Sequence, residues 1–180
     1  MGAYLDKVVA RTRELGLDGL SFSGIPVFGS DADQAAQKAV ASLFIEKFAA
    51  VAGPDKELLL LFEGDPQFLA PADRAKVDYF VLDTKETDNA TDLKLQVLRA
   101  LSAGAVPCNK LLLGAMTEYE FTDEDKGAAD AISALTIRIP EIGPQPLAGL
   151  CIYSVNADYF GAEFIYPLTR QAIQTLNPSK

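Results

Sequence analysis

The sequence predicts an α/β fold built from parallel βα units, and three observations carry that prediction. Five short runs rich in Leu, Val, Ile and Phe punctuate the chain, each followed by turn residues. Several of these runs are apolar almost without interruption, as strands covered on both faces must be. Segments of helical period lie between them, so the order reads αβαβαβαβαβα.

The first element is a helix whose stripe is Leu5, Val8, Val9, Thr12 and Leu15, stopped by Gly16. A strand follows at Leu17 to Ser23. The stripe Ala36, Ala39, Val40, Leu43 and Phe44 predicts a long amphipathic helix over Asp33 to Ala52, stopped by Gly53-Pro54. The second strand is Glu57 to Glu63, a short helix lies near Pro71 to Ala75, and the third strand is Val77 to Asp83. Leu93, Val97, Leu98 and Leu101 mark the next helix, ended by Gly104. The fourth strand is Lys110 to Met116. Thr122-Asp123-Glu124-Asp125 then reads as a capping box opening a helix with Ala128, Ile132 and Leu135. The fifth strand is Leu147 to Val155. A last helix carries Leu168, Ala172, Ile173 and Leu176, with Pro167 suited to its first turn and Pro178 ending it.

Strand starts at 17, 57, 77, 110 and 147 leave intervals of 40, 20, 33 and 37 residues, which suit right-handed crossovers. No linker or low-complexity tract divides the 180 residues, which predicts one domain. Two architectures fit: an open doubly wound five-stranded sheet, or part of an eight-fold (β/α)8 barrel, which needs ~250 residues in full. Both place function at the C-terminal ends of the strands.

Composition removes whole classes of chemistry. The chain has no histidine, which excludes Ser-His-Asp and Cys-His catalysis and His-based zinc sites. Its formal charge of −9 argues against nucleic acid and against anionic lipid. Cys108 and Cys151, the two cysteines, are too few for a metal cage and fit buried thiols. No apolar run reaches the ~18 residues of a membrane span. The first residues lack the basic-then-apolar order of a secretory signal, so a soluble chain of unassigned compartment is expected. No loop offers a glycine-rich phosphate cradle, and no Trp is present to stack on a flavin, so no cofactor and no metal is expected.

The strand ends collect acidic, amide and aromatic residues. They include Ser21 and Ser23; Glu63 and Asp65; Asp83; Glu118, Tyr119 and Glu120; and Tyr153, Asn156, Asp158 and Tyr159. Such a surface suits sugars, which stack on aromatic faces and give hydroxyl hydrogens to carboxylates and amides. Glu63 and Asp83 form a carboxylate pair of the kind that performs glycosidic acid-base work. The competing reading is that they simply close strands and cap helices. Tyr119 and Tyr153 are either sugar platforms or half-buried core aromatics.

One stretch is similar to a known family. Asp18-Gly19-Leu20-Ser21-Phe22-Ser23-Gly24-Ile25 resembles the fourth-strand signature of glycoside hydrolase family 18, Asp-Gly-x-Asp-x-Asp-x-Glu. That family includes chitinases and endo-β-N-acetylglucosaminidases. Val77 to Asp83 resembles its sixth strand, Lys110 to Ala115 its seventh, and Gly149 to Tyr159 its eighth, with Tyr153 where many members carry a platform Trp. The resemblance implies strands four to eight of a (β/α)8 barrel, completed by a second copy or by a preceding segment. It also implies a glycan containing N-acetylglucosamine as partner, and relatives are often exported.

Carried over residue by residue, Asp18 matches the first Asp, Ser21 the second, Ser23 the third and Ile25 the Glu. In the family that Glu protonates the leaving oxygen, and the third Asp orients the 2-acetamido group. Neither serine nor isoleucine supplies a carboxyl proton, so the resemblance implies a catalytically degenerate glycan-binding chain. Asp18, Ser23, Asp83, Tyr119, Tyr153, Asn156 and Asp158 are its candidate binding residues. The alternatives are an active hydrolase with Glu63 as relocated acid, beside Asp83, and a structural or interaction domain without catalysis.

Overall fold

The computed structural model describes residues 2–23, 30–84, 90–102, 106–116, 147–153 and 166–176. Its elements are α1 (Gly2–Glu14), β1 (Gly19–Ser23), α2 (Asp31–Phe48), β2 (Leu59–Glu63), α3 (Pro71–Arg74), β3 (Tyr79–Leu82), α4 (Ala90–Leu101), β4 (Leu111–Met116), β5 (Gly149–Tyr153) and α5 (Pro167–Leu176). All five expected strands are present, each beginning one or two residues later than expected. The expected helix opening at Thr122 lies outside the described residues.

Hydrogen bonding along the sheet follows chain order, β1-β2-β3-β4-β5. The β1–β2 and β4–β5 pairs are parallel. This is the α/β class of parallel βα units expected from the sequence. The residues pack as two compact units, Met1–Phe80 and Val81–Lys180.

In the first unit, β2 alternates, with Leu60 and Phe62 buried and Leu59, Leu61 and Glu63 more accessible. Period-two alternation sends successive side chains to opposite faces, so Leu60 and Phe62 share the covered face. Phe22 on β1 stands opposite Phe62, their ring centroids 5.1 Å apart, and Phe80 continues the row at 6.1 Å. Such tilted and edge-on pairs contribute roughly 0.5–1.5 kcal/mol each beyond area burial.

The inward face of α2 differs from the expected stripe. Ala41, Ile45 and Phe48 are buried, whereas Ala36, Ala39 and Val40 are exposed and Leu43 and Phe44 half-buried. Apolar residues occupy most of this helix's circumference, so period alone marks two candidate faces. The larger Ile45 and Phe48 take the core. Its N-terminus is a capping box. Ser30 Oγ accepts from the Asp33 backbone N–H at 3.4 Å, and the Asp33 carboxylate accepts from the Ser30 N–H at 2.9 Å and hydroxyl at 2.7 Å.

Two side-chain bonds tie the connections down. Ser42 donates to the buried Asp73 carboxylate at 2.6 Å, joining α2 to α3, and Lys76 pairs with the same carboxylate at 3.2 Å. Asp78, just before β3, accepts from the Leu60 N–H at 2.8 Å while its own N–H donates to the Leu60 carbonyl at 2.9 Å.

In the second unit the core holds Val81, Leu82, Leu93, Val97, Ala100, Leu111, Leu113, Ala115 and Ala172. Leu93 and Val97 lie one helical turn apart on the face the sequence assigned to α4. Cys108 and Cys151 are half-buried rather than fully enclosed. No helix among the described residues is long and apolar enough to cross a membrane.

Replacing Ser30 with alanine is expected to lower stability by about 1 kcal/mol, read as a shift in urea midpoint. The Ser30 hydroxyl and N–H hold the Asp33 carboxyl below the ordinary aspartate range. A depressed folded-state pKa gives stability that is present above the unfolded pKa and lost as pH falls through the folded one. Acid titration is therefore expected to destabilise wild type more than Asp33→Asn, measured by circular dichroism.

Candidate functional site

In the first unit the parallel register sets Ser21 beside Leu61 and Ser23 beside Glu63. Ser21 and Ser23 are exposed and Glu63 half-buried, on the face opposite the Phe22–Phe62–Phe80 row. The aromatic row anchors one side of both strands, and alternation turns the two serines and the glutamate to the other. At the end of β2 the chain passes through Asp65, whose carboxylate accepts from the Gln67 N–H at 2.9 Å and caps a 3-10 turn over Pro66–Phe68. Asp65 thus serves as the cap of the turn that follows β2.

Asp18 lies at the other end of β1. Its carbonyl accepts from the Leu59 N–H at 2.9 Å, and its side chain is exposed. Five residues separate it from Ser23, roughly 16 Å along a strand. The structure therefore brings Ser23 and Glu63 together and leaves Asp18 at the strand entry.

The next residue, Gly19, is in contact with β2. A Cβ there would lie 2.5 Å from the Leu59 carbonyl oxygen and 2.8 Å from Leu59 Cβ. The glycine of the motif is thereby a packing requirement of the β1–β2 ladder.

In the second unit Asp83 directly follows β3 and is exposed. Thr84, only 2% exposed, donates its hydroxyl to the Gly114 carbonyl at 2.6 Å, tying the end of β3 to β4. Tyr153 ends β5 opposite Met116 and is half-buried. Of the remaining expected site residues, Ile25, Tyr119, Asn156 and Asp158 lie outside the described residues.

Chemically, the two serine hydroxyls donate and accept hydrogen bonds but transfer no proton to a leaving group at neutral pH. The carboxylates of Glu63 and Asp83 are acceptors for sugar hydroxyls, and a tyrosine ring offers an apolar face. Among the described residues no group of three or more Cys, Asp or Glu is arranged to hold a metal ion. Sequence reasoning missed Thr84 and Gly114. The signal for Gly114 was a glycine inside the apolar run Leu111-Leu112-Leu113, a mark of close backbone approach.

A family model described as "Glycoside hydrolase family 18, BT1044-like" matches residues 1–175. Among solved structures, a selenomethionine variant of BT1044 superposes with a TM-score of 0.69 at 15% identity, covering 98% of this chain and 59% of its own. An endo-β-N-acetylglucosaminidase from Cordyceps militaris gives 0.72 at 17% identity, covering 98% and 62%. YKL-39, solved in the presence of chitooligosaccharides, gives 0.60 at 14% identity, covering 97% and 73%. The chain thus spans about three fifths of the length of the first two. At these identities the likeness is one of fold, a partial TIM-type α/β fold. No curated protein sequence matches the chain at a significant level.

Gly19→Ala is expected to cost about 1–3 kcal/mol, because the Leu59 backbone must move to admit the methyl group. The urea midpoint should fall with the slope unchanged, and an unaltered midpoint would contradict the close approach.

Proposed function

The chain belongs to glycoside hydrolase family 18, BT1044-like, and from that premise we propose that it binds N-acetylglucosamine-containing glycans without hydrolysing them through the family's usual carboxylates. One observation carries the reading. Ser21 and Ser23 stand exposed at the end of β1, at the positions where the family motif has its second and third Asp. Hydroxyls there retain hydrogen bonding to a sugar while removing the charge that orients and stabilises the reacting group. In the first unit Ser23 and Glu63, and in the second unit Asp83 and Tyr153, are the binding residues we assign within the described chain. Tyr119, Asn156 and Asp158 are carried from the sequence, and Asp18, at the entry of β1, drops out of the set. The chitooligosaccharides present with YKL-39 and the activity named for the Cordyceps militaris enzyme support an N-acetylglucosamine-type ligand.

A second reading rests on the register. Glu63 is the Cα partner of Ser23 and is half-buried, so a carboxyl group stands one strand away from the motif. In that reading Glu63 is a relocated general acid.

The proposal includes a partner for β1. This strand stands first in the strand order, so the backbone groups on its outer edge call for pairing. A second copy of the chain, or preceding βα units of the kind its longer relatives contain, would supply that pairing.

Calorimetric titration with chitotetraose is expected to show binding. A fluorogenic N-acetylglucosaminide should remain uncleaved under the same conditions. Absence of heat at millimolar ligand would overturn the binding proposal. Hydrolysis by wild type that disappears in Glu63→Gln would replace it with the second reading, and hydrolysis that persists in Glu63→Gln would remove Glu63 as the acid. Sedimentation analysis is expected to give a dimer; a monomer leaves preceding βα units as the partner of β1.

A further inference from the structure

β4 carries a glycine where its neighbours carry Leu112 and Met116, on the side of the strand that pairs in register with Gly149, Cys151 and Tyr153. Gly114 is buried, and the space a side chain would fill is taken. A Cβ there would lie 3.2 Å from Cε2 of Tyr153, 3.0 Å from the Leu82 carbonyl oxygen and 3.5 Å from the Thr84 backbone nitrogen. By register Tyr153 pairs with Met116, yet its ring reaches back two residues to lie against Gly114. That lean requires a residue without a side chain beneath it. The carbonyl of the same Gly114 is held by the buried Thr84 hydroxyl at 2.6 Å, directly after Asp83.

From this geometry we infer that Gly114 and Thr84 are positioning residues for the Tyr153 ring, Gly114 by leaving it a seat and Thr84 by fixing the strand that forms that seat. The inference rests on the glycan-binding reading above and adds what sets the platform's orientation. Stacking on a sugar depends on the tilt of the ring face, so a shift of a few tenths of an ångström beneath it changes binding without removing any group that touches ligand. Packing of this kind acts on the site through the tyrosine, and a double-mutant cycle separates that route from any shift of the neighbouring Asp83. It is therefore distinguishable from a contribution to folding alone.

The test is a double-mutant cycle with chitotetraose as probe and calorimetric affinity as readout. Gly114→Ala is expected to weaken binding by about tenfold, as is Tyr153→Ala, the size of loss that follows from forfeiting one aromatic contact. The double variant should bind as Tyr153→Ala does, since the added methyl group then has no ring to displace. Thr84→Val, which keeps the shape and removes the donor, should behave in the same non-additive way, with Thr84→Ser restoring wild-type affinity. The Thr84 series decides the matter where Gly114→Ala fails to fold. Losses that add in the double variant, or unchanged affinity in both Gly114→Ala and Thr84→Val, overturn the assignment while leaving glycan binding in place. No binding of chitotetraose by wild type overturns the glycan reading and this assignment with it.

Discussion

The parallel register of β1 against β2 is the constraint on which the first unit's chemistry depends. Because side chains alternate with period two, pairing Phe22 with Phe62 also pairs Ser23 with Glu63 and turns both away from the aromatic row. A slip of β1 by one residue would turn its serines to the covered face and Phe22 to the accessible one. The buried rings make that slip costly, and Gly19 narrows the alternatives further, since only a residue without Cβ fits against Leu59 at the strand's start. Site and core are thus specified by the same five residue pairs.

Much of this was legible from the sequence, and the reason is physical. Strands covered on both faces leave near-continuous apolar runs, and all five runs became strands. The short helix at Pro71 and the helix carrying Leu93 and Val97 also fell where proline and period placed them. The face of α2 was misjudged because alanines and leucines surround most of that helix. Period cannot choose between two apolar faces, whereas the bulk of Ile45 and Phe48 can. The glycine at 114 signals a close approach, but the tyrosine ring that takes its space was not readable. That seat depends on three segments, the ends of β3 and β5 and the middle of β4, that meet only in the fold.

Under the proposed reading, membership of a glycosidase family and absence of its usual acid are compatible, because a fold is kept by its packing and a reaction by a few side chains. Gly19 illustrates the first, being required by the β1–β2 ladder whether or not catalysis occurs. Ser21 and Ser23 illustrate the second. Both project from the accessible face, where an exchange of carboxylate for hydroxyl removes charge and leaves the covered face untouched. Packing therefore calls for Gly19 whatever chemistry the accessible face at Ser21 and Ser23 performs.

The pair of hydrogen bonds between Asp78 and Leu60 bears on the order in which the chain assembles. Its partners are 18 residues apart, whereas the Gly19–Leu59 pairing must close 40. Closing the shorter loop costs about 0.7 kcal/mol less chain entropy. The reward for that closure is two hydrogen bonds to a single residue, one through backbone and one through a carboxylate. The segment from β2 through α3 to the start of β3 is thus the least expensive non-local closure of its unit. It offers β1 a preformed edge on which to align, so the strand bearing the two serines is the late arrival in its own site.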